Sequence, residues 1–165
     1  MSDPNASGDR SYVAVVGGSE ATLDEIEAAH AVGAALAERG AVLLSGGLGG
    51  VMEAACRGAR EHGGTTVGIL PGADRSAANQ YVDLAIATGI GESRNAIVVR
   101  AADAVIAVGG EFGTLSEIAF ALRAGVPVVG LGTWDLAAAG RVANDPVVKA
   151  DSASEAVERA LELGS

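Results

Sequence analysis

Short apolar runs alternate with amphipathic stretches along the whole chain. Tyr12 to Val16, Ala41 to Leu44, Thr65 to Leu70, Ala104 to Val108 and Val126 to Leu131 are β-prone or apolar segments of strand length. Tyr81 to Ile86 is also β-prone, and Val147-Val148 reads as a short edge strand. Between these runs the period becomes helical. Leu23, Ile26, His30, Gly33 and Ala37 share one face, opened by the capping-box spacing Thr22 to Glu25 and closed by Gly40. Further helices are expected over Val51 to His62, Ser93 to Ala102 and Thr114 to Arg123, and after a second capping box, Ser152 to Glu155. Val157, Ala160 and Leu161 of that last helix face inward.

Continuous apolar strands alternating with helices indicate a parallel sheet buried on both faces, with right-handed crossovers between strands. The expected fold class is therefore α/β: a doubly wound parallel sheet in a Rossmann-like, three-layer single domain. At 165 residues the chain has the size of one domain. Residues 1–10 are polar and read as a loose tail without the apolar core of a signal peptide, leaving 11–165 for the domain.

Composition narrows the partners. The hydrophobic fraction of 49% comes from Ala, Val, Leu and Ile, since aromatics are only 3%. A formal net charge of -10 argues against nucleic acid, whose binding needs cations to neutralise phosphates. No run of about 18 apolar residues is present, so no membrane span is expected. Cys56 is the only cysteine, which excludes an intrachain disulfide and fits a reducing cytoplasm. No cluster of ligand-type side chains is visible, so no metal site is expected.

Candidate chemistry lies in two glycine-rich elbows, Ser45-Gly-Gly-Leu-Gly-Gly-Val-Met-Glu53 and Val108-Gly-Gly-Glu-Phe-Gly-Thr-Leu-Ser-Glu117. Each follows a strand and opens into a helix. Such a helix aims unpaired N–H groups and a positive dipole end into the space above the strand, which suits a phosphate. Gly17 ends the first strand in the same way, and open sheets bind ligands beyond these strand ends. The common fingerprints are absent. Met52 stands where Gly-x-Gly-x-x-Gly needs its last glycine, and the only lysine, Lys149, is far from either elbow.

Three blocks, Ser45 to Met52, Ser93-Arg94-Asn95 and Val108 to Glu117, resemble in order and spacing the "lonely guy" (LOG-like) family, over roughly residues 12 to 132. Gly68-Ile-Leu-Pro-Gly72 and Arg94-Asn95 look most like its short branch, which includes molybdenum cofactor carrier proteins. That resemblance implies a bound phosphorylated ligand, molybdenum cofactor (a phosphorylated pterin) or a nucleotide, with no cofactor otherwise required. It also implies a homodimer or homotetramer. Ligand contacts are expected from Gly18, Ser19, Gly46, Gly47, Gly49, Met52, Arg94, Asn95, Gly109, Gly110, Gly113, Thr114 and Glu117. The hydrolase branch cleaves the N-glycosidic bond of nucleoside 5′-monophosphates. It would place its catalytic arginine and glutamate on Arg94 and Glu117. That branch usually carries Arg-Lys where this chain has Arg94-Asn95, which favours binding over hydrolysis.

Each candidate also has a structural reading. Thr114 to Glu117 has capping-box spacing, so Glu117 would serve the helix start. Arg94 at a helix N-terminus opposes the dipole and calls for a carboxylate, Glu92 or Glu111, or a bound anion. Ser19 and Ser45 would contact ligand or end a strand. His30 is expected to pack in its apolar stripe, His62 to suit a helix C-terminus, and Cys56 to face the core. Trp134 would cover a ligand base, close a subunit contact or simply pack.

Overall fold

The computed structural model describes residues 10–137, 140 and 142–165. The expected tail, 1–10, therefore falls outside the described residues except for Arg10. That side chain is tied down, donating from Nε to Gly40 O at 3.1 Å and from Nη2 to Thr65 Oγ1 at 3.3 Å.

Among the described residues, seven parallel strands form one sheet: β1 (Tyr12–Gly17), β2 (Val42–Ser45), β3 (Thr65–Leu70), β4 (Leu84–Ala87), β5 (Ala104–Val108), β6 (Val128–Leu131) and β7 (Val148–Lys149). Their order is β4-β3-β2-β1-β5-β6-β7. Among the same described residues, five α-helices cover it: α1 (Leu23–Glu38), α2 (Val51–Glu61), α3 (Arg94–Arg100), α4 (Phe112–Arg123) and α5 (Ala153–Leu163). Alternation along the central strands separates two cores. Val13 and Val15 of β1 pack with α1, α2 and α5, whereas Ala14 and Val16 pack with α3 and α4. The result is the doubly wound, three-layer Rossmann-like arrangement expected from the pattern.

Chain order reverses at β1, which lies between β2 and β5. Gly17 pairs in register with Val108, so the carboxyl ends of β1 and β5 stand side by side at the switch point. Both elbows therefore open on the same edge of the sheet.

Several boundaries differ from the sequence expectation, among them β6, which begins at Val128 and not Val126, and three of the differences have a clear local reason. The β4 strand begins at Leu84 because Tyr81 to Asp83 belong to a turn. Thr66 Oγ1 donates to Tyr81 O at 2.6 Å, and Asp83 Oδ2 accepts the Thr66 N–H at 2.9 Å. Helix α3 starts at Arg94, after a tight turn over Gly91–Ser93. Helix α4 starts at Phe112, two residues early, which places Thr114 and Glu117 inside the helix. Its N-cap is Glu111, with no side-chain cap bond, so the expected Thr114–Glu117 capping box does not form. The Thr22–Glu25 box does form, whereas at Ser152 half of one is made: Glu155 N–H donates to Ser152 Oγ, but the Glu155 carboxylate accepts from the Asp151 N–H instead of the Ser152 N–H.

Candidate functional site

A cleft of about 540 Å³ lies at the switch point, walled by the ends of β1, β2 and β3 and by α3 and α4. That volume is within the range of small-ligand sites. Eight of the expected contacts line it: Gly18, Ser19, Met52, Arg94, Asn95, Gly113, Thr114 and Glu117. Glu20, Leu48 and Pro71 line it as well, although the sequence reading did not nominate them. Their signal was position, since each follows closely on the carboxyl end of β1, β2 or β3. Gly46, Gly47, Gly49, Gly109 and Gly110 are not in its lining. These glycines shape the walls instead.

Gly46 is the clearest case. A Cβ there would lie 2.8 Å from Arg94 Nη2 and 2.8 Å from Met52 Sδ, so its bareness gives the guanidinium its seat. Arg94 is 8% exposed. Its Nη1 donates to Asn95 Oδ1, and the same nitrogen is 4.0 Å from Glu117 Oε1. Arg94 Nε is buried and has no hydrogen-bond partner in the protein. The carboxylate facing Arg94 is thus Glu117, not the Glu92 or Glu111 anticipated from sequence; Glu92 contributes only a weaker attraction.

Burial sets the electrostatics. It pushes Glu117 up to about 7, against the opposing pull of Arg94. The same burial lowers Arg94 from its ordinary value, partly offset by Glu117. A half-neutral carboxyl leaves the guanidinium with charge to spare near pH 7.

Helix α4 supplies the second half of the cradle. Its uncapped first turn carries Gly113 and Thr114 in the cleft wall. Gly109 and Gly110 have φ of 53° and 97°, the left-handed turn that swings the chain from β5 into the helix. A Cβ on Gly110 would collide with the Thr114 side chain. The mouth is ringed by exposed Glu20, Glu92 and Glu111, so it suits a ligand of low negative charge rather than a polyphosphate.

The remaining candidates are structural. Ser45 is fully buried, and its Oγ accepts the Gly47 N–H at 3.1 Å beside the buried Cys56. His30 is not merely packed, because its Nε2 lies 2.7 Å from Glu61 Oε2 between α1 and α2. His62 caps α2, with Nδ1 3.0 Å from Gly58 O. Among the described residues, no helix is long and apolar enough to cross a membrane.

The sequence profile of a known family, SLOG cluster4, matches residues 10–160. The chain belongs to the SLOG cluster4 family. Solved structures similar to this member include the molybdenum cofactor binding protein from the phototrophic bacterium Rippkaea orientalis. It has a TM-score of 0.88 and 37% identity, over 96% of this chain and 100% of that one. The molybdenum cofactor carrier protein of Chlamydomonas reinhardtii has a TM-score of 0.84 and 34% identity, over 94% and 98% of the two chains. A cytokinin riboside 5′-monophosphate phosphoribohydrolase of Mycobacterium marinum is 38% identical over 96 residues, 56% of this chain and 51% of that protein. This SLOG cluster4 chain therefore sits in the LOG-like group that its three motif blocks suggested, beside molybdenum cofactor carriers.

Proposed function

We propose that the protein binds a phosphorylated, nucleotide-like small molecule in this cleft, and that it carries molybdenum cofactor there. The observation that carries the reading is Arg94: a nearly buried guanidinium whose Nε has no partner, beside the uncapped start of α4. A buried cation with a spare donor is stabilised by an anion, and a helix N-terminus receives one through its backbone N–H groups. The phosphate monoester would lie between Arg94 and the first turn of α4, with the rest of the ligand extending toward Met52, Leu48 and Pro71 or toward the mouth. The likeness to two molybdenum cofactor proteins over nearly the whole chain supports the choice of cargo. Assembly as a homodimer or homotetramer and residence in the cytoplasm belong to the same reading; light scattering showing a strict monomer would remove the first.

A second reading has its own observation. Arg94 and Glu117 face each other in the cleft, the pair on which a phosphoribohydrolase would rely. Against it, the residue after Arg94 is Asn95, whose Oδ1 is occupied in holding the guanidinium, and no lysine stands near the site.

Incubation with a panel of nucleoside 5′-monophosphates separates the two. A carrier releases no free base or ribose 5-phosphate, and it co-elutes with molybdenum and pterin when mixed with released molybdenum cofactor. Base release by the wild type that vanishes in Glu117→Gln would overturn the carrier reading in favour of the hydrolase.

A further inference from the structure

The second elbow borders another cavity. Gly109 and Gly110, with Glu25, Gly132, Thr133 and Trp134, wall a hollow of about 260 Å³. The next residue, Glu111, lines the main cleft, so the elbow stands between the two cavities. The hollow's wall is built rather than incidental. The Trp134 indole N–H donates to Glu111 O at 3.1 Å, and Thr133 Oγ1 donates to Gly109 O at 2.6 Å. The Phe112 ring stands 5.9 Å from the indole, tilted by 34°, and is 78% exposed. The chain has one Trp, two Tyr and two Phe, and two of those rings meet at this spot.

Among the described residues, Glu25 is the only charged side chain in the wall. Its Oε2 accepts the Thr22 N–H at 3.0 Å, which fixes the carboxylate at the start of α1. Oε1 rests against Gly109, where any Cβ would collide with it. The carboxylate is therefore held in place before any ligand arrives.

We propose that this hollow is the ring subsite for the cleft's ligand, taking a fused heteroaromatic ring with two adjacent N–H donors. That edge, 2-amino-4-oxo, is shared by guanine and pterin. Its paired donors would meet the Glu25 carboxylate while the ring lies against Trp134 and Phe112. The inference rests on the phosphate reading of the cleft. A carboxylate matches two parallel N–H donors, and an aromatic ledge favours a stacked base. Adenine lacks the paired donors, so the subsite discriminates by hydrogen bonding as well as by shape.

Trp134 is the sole tryptophan, so its fluorescence reports on the hollow. The full chain is titrated with GMP, AMP and ribose 5-phosphate. GMP is expected to quench the indole and to bind roughly tenfold or more tighter than AMP. Phe112→Ala is expected to weaken GMP by roughly fivefold or more and to leave ribose 5-phosphate unchanged. Glu25→Gln is expected to bring GMP level with AMP. Because Glu25 also caps α1, the surface change Phe112→Ala keeps the test decisive if that variant fails to fold. Ribose 5-phosphate binding as tightly as GMP, or Phe112→Ala binding GMP like the wild type, overturns the ring subsite and leaves the phosphate reading standing. Phe112→Ala that changes the assembly state and spares GMP also overturns it. No binding of any of the three overturns both.

Discussion

The two glycine elbows are alike in sequence and unlike in use. At the first, Gly47, Gly50 and their neighbours are spent on packing. Gly47 O accepts the Asn79 N–H at 2.9 Å, Asn79 Nδ2 donates to Leu48 O at 2.9 Å, and Gly50 presses on the carbonyls of Gly18 and Ser19. Only Leu48 and Met52 of that stretch reach the cleft. Neither helix start carries a side-chain cap, but at the first the Val51 N–H is taken by Gly18 O at 3.0 Å, whereas at the second a Cβ on Gly113 would meet nothing within 4 Å, and Glu111, Gly113, Thr114 and Glu117 line the cavity. The lesson is that a glycine-rich strand-to-helix turn is a ligand site only where it leaves N–H groups and space unclaimed. The first elbow holds the scaffold and seats Arg94 through Gly46; the second receives the ligand.

The comparison breaks most readily at Gly50. Its φ of 64° and ψ of -129° suit glycine alone, and an added Cβ would collide with Gly18 O. Gly50→Ala is expected to cost about 3 kcal/mol or more of stability, read as a lower denaturation midpoint. A cost under about 1 kcal/mol would show that the first elbow is not a packing device. Next in size is Arg94→Ala. Loss of its charge-assisted bonds should weaken a phosphorylated ligand by about 1.5–3 kcal/mol in calorimetric titration, whereas Glu117→Gln should change affinity only modestly.

The pH dependence sharpens the second half of the comparison. Burial raises Glu117 from its ordinary 4.5 to about 7, so across that window the native state keeps a proton the unfolded chain has lost. The contribution of the neutral carboxyl is complete below about 4.5 and lost as pH rises through about 7. Denaturant midpoints measured from pH 4.5 to 8 should fall with that slope in the wild type and flatten in Glu117→Gln; equal slopes would contradict the burial argument. Ligand affinity should fall over the upper part of this range as Glu117 ionises beside the phosphate. The smallest effect is expected at Gly113→Ala. Alanine in an open helical position should stabilise by about 0.5–1 kcal/mol. Its methyl group, projecting into the cleft, should nonetheless weaken the ligand.

Much of the fold was legible because strand and helix periods switch cleanly and because Thr22–Glu25 and Ser152–Glu155 mark real helix starts. The Thr114–Glu117 spacing misled for a physical reason. The left-handed turn at Gly109 and Gly110 lets the helix begin at Phe112, which carries the same two residues past the cap and turns them into cleft wall. The site was legible as a set of motif blocks, but not as a division of labour. Whether a glycine lines a cavity or fills a contact depends on what lies across from it: Arg94 for Gly46, Glu25 for Gly109, Thr114 for Gly110. Those partners are distant in sequence or hidden by the turn. The resemblance put Arg94 and Glu117 in one site, but their ion pair was not read from the residues, since it joins α3 to α4 across the cleft.

The most direct test is a crystal structure of the protein with a bound nucleoside monophosphate. The phosphate is expected at the second elbow, within hydrogen-bond reach of Arg94 Nε and of the backbone N–H groups that open α4. A phosphate seated on the first elbow, between Gly46 and Gly50, or bound outside the cleft altogether, would contradict the account.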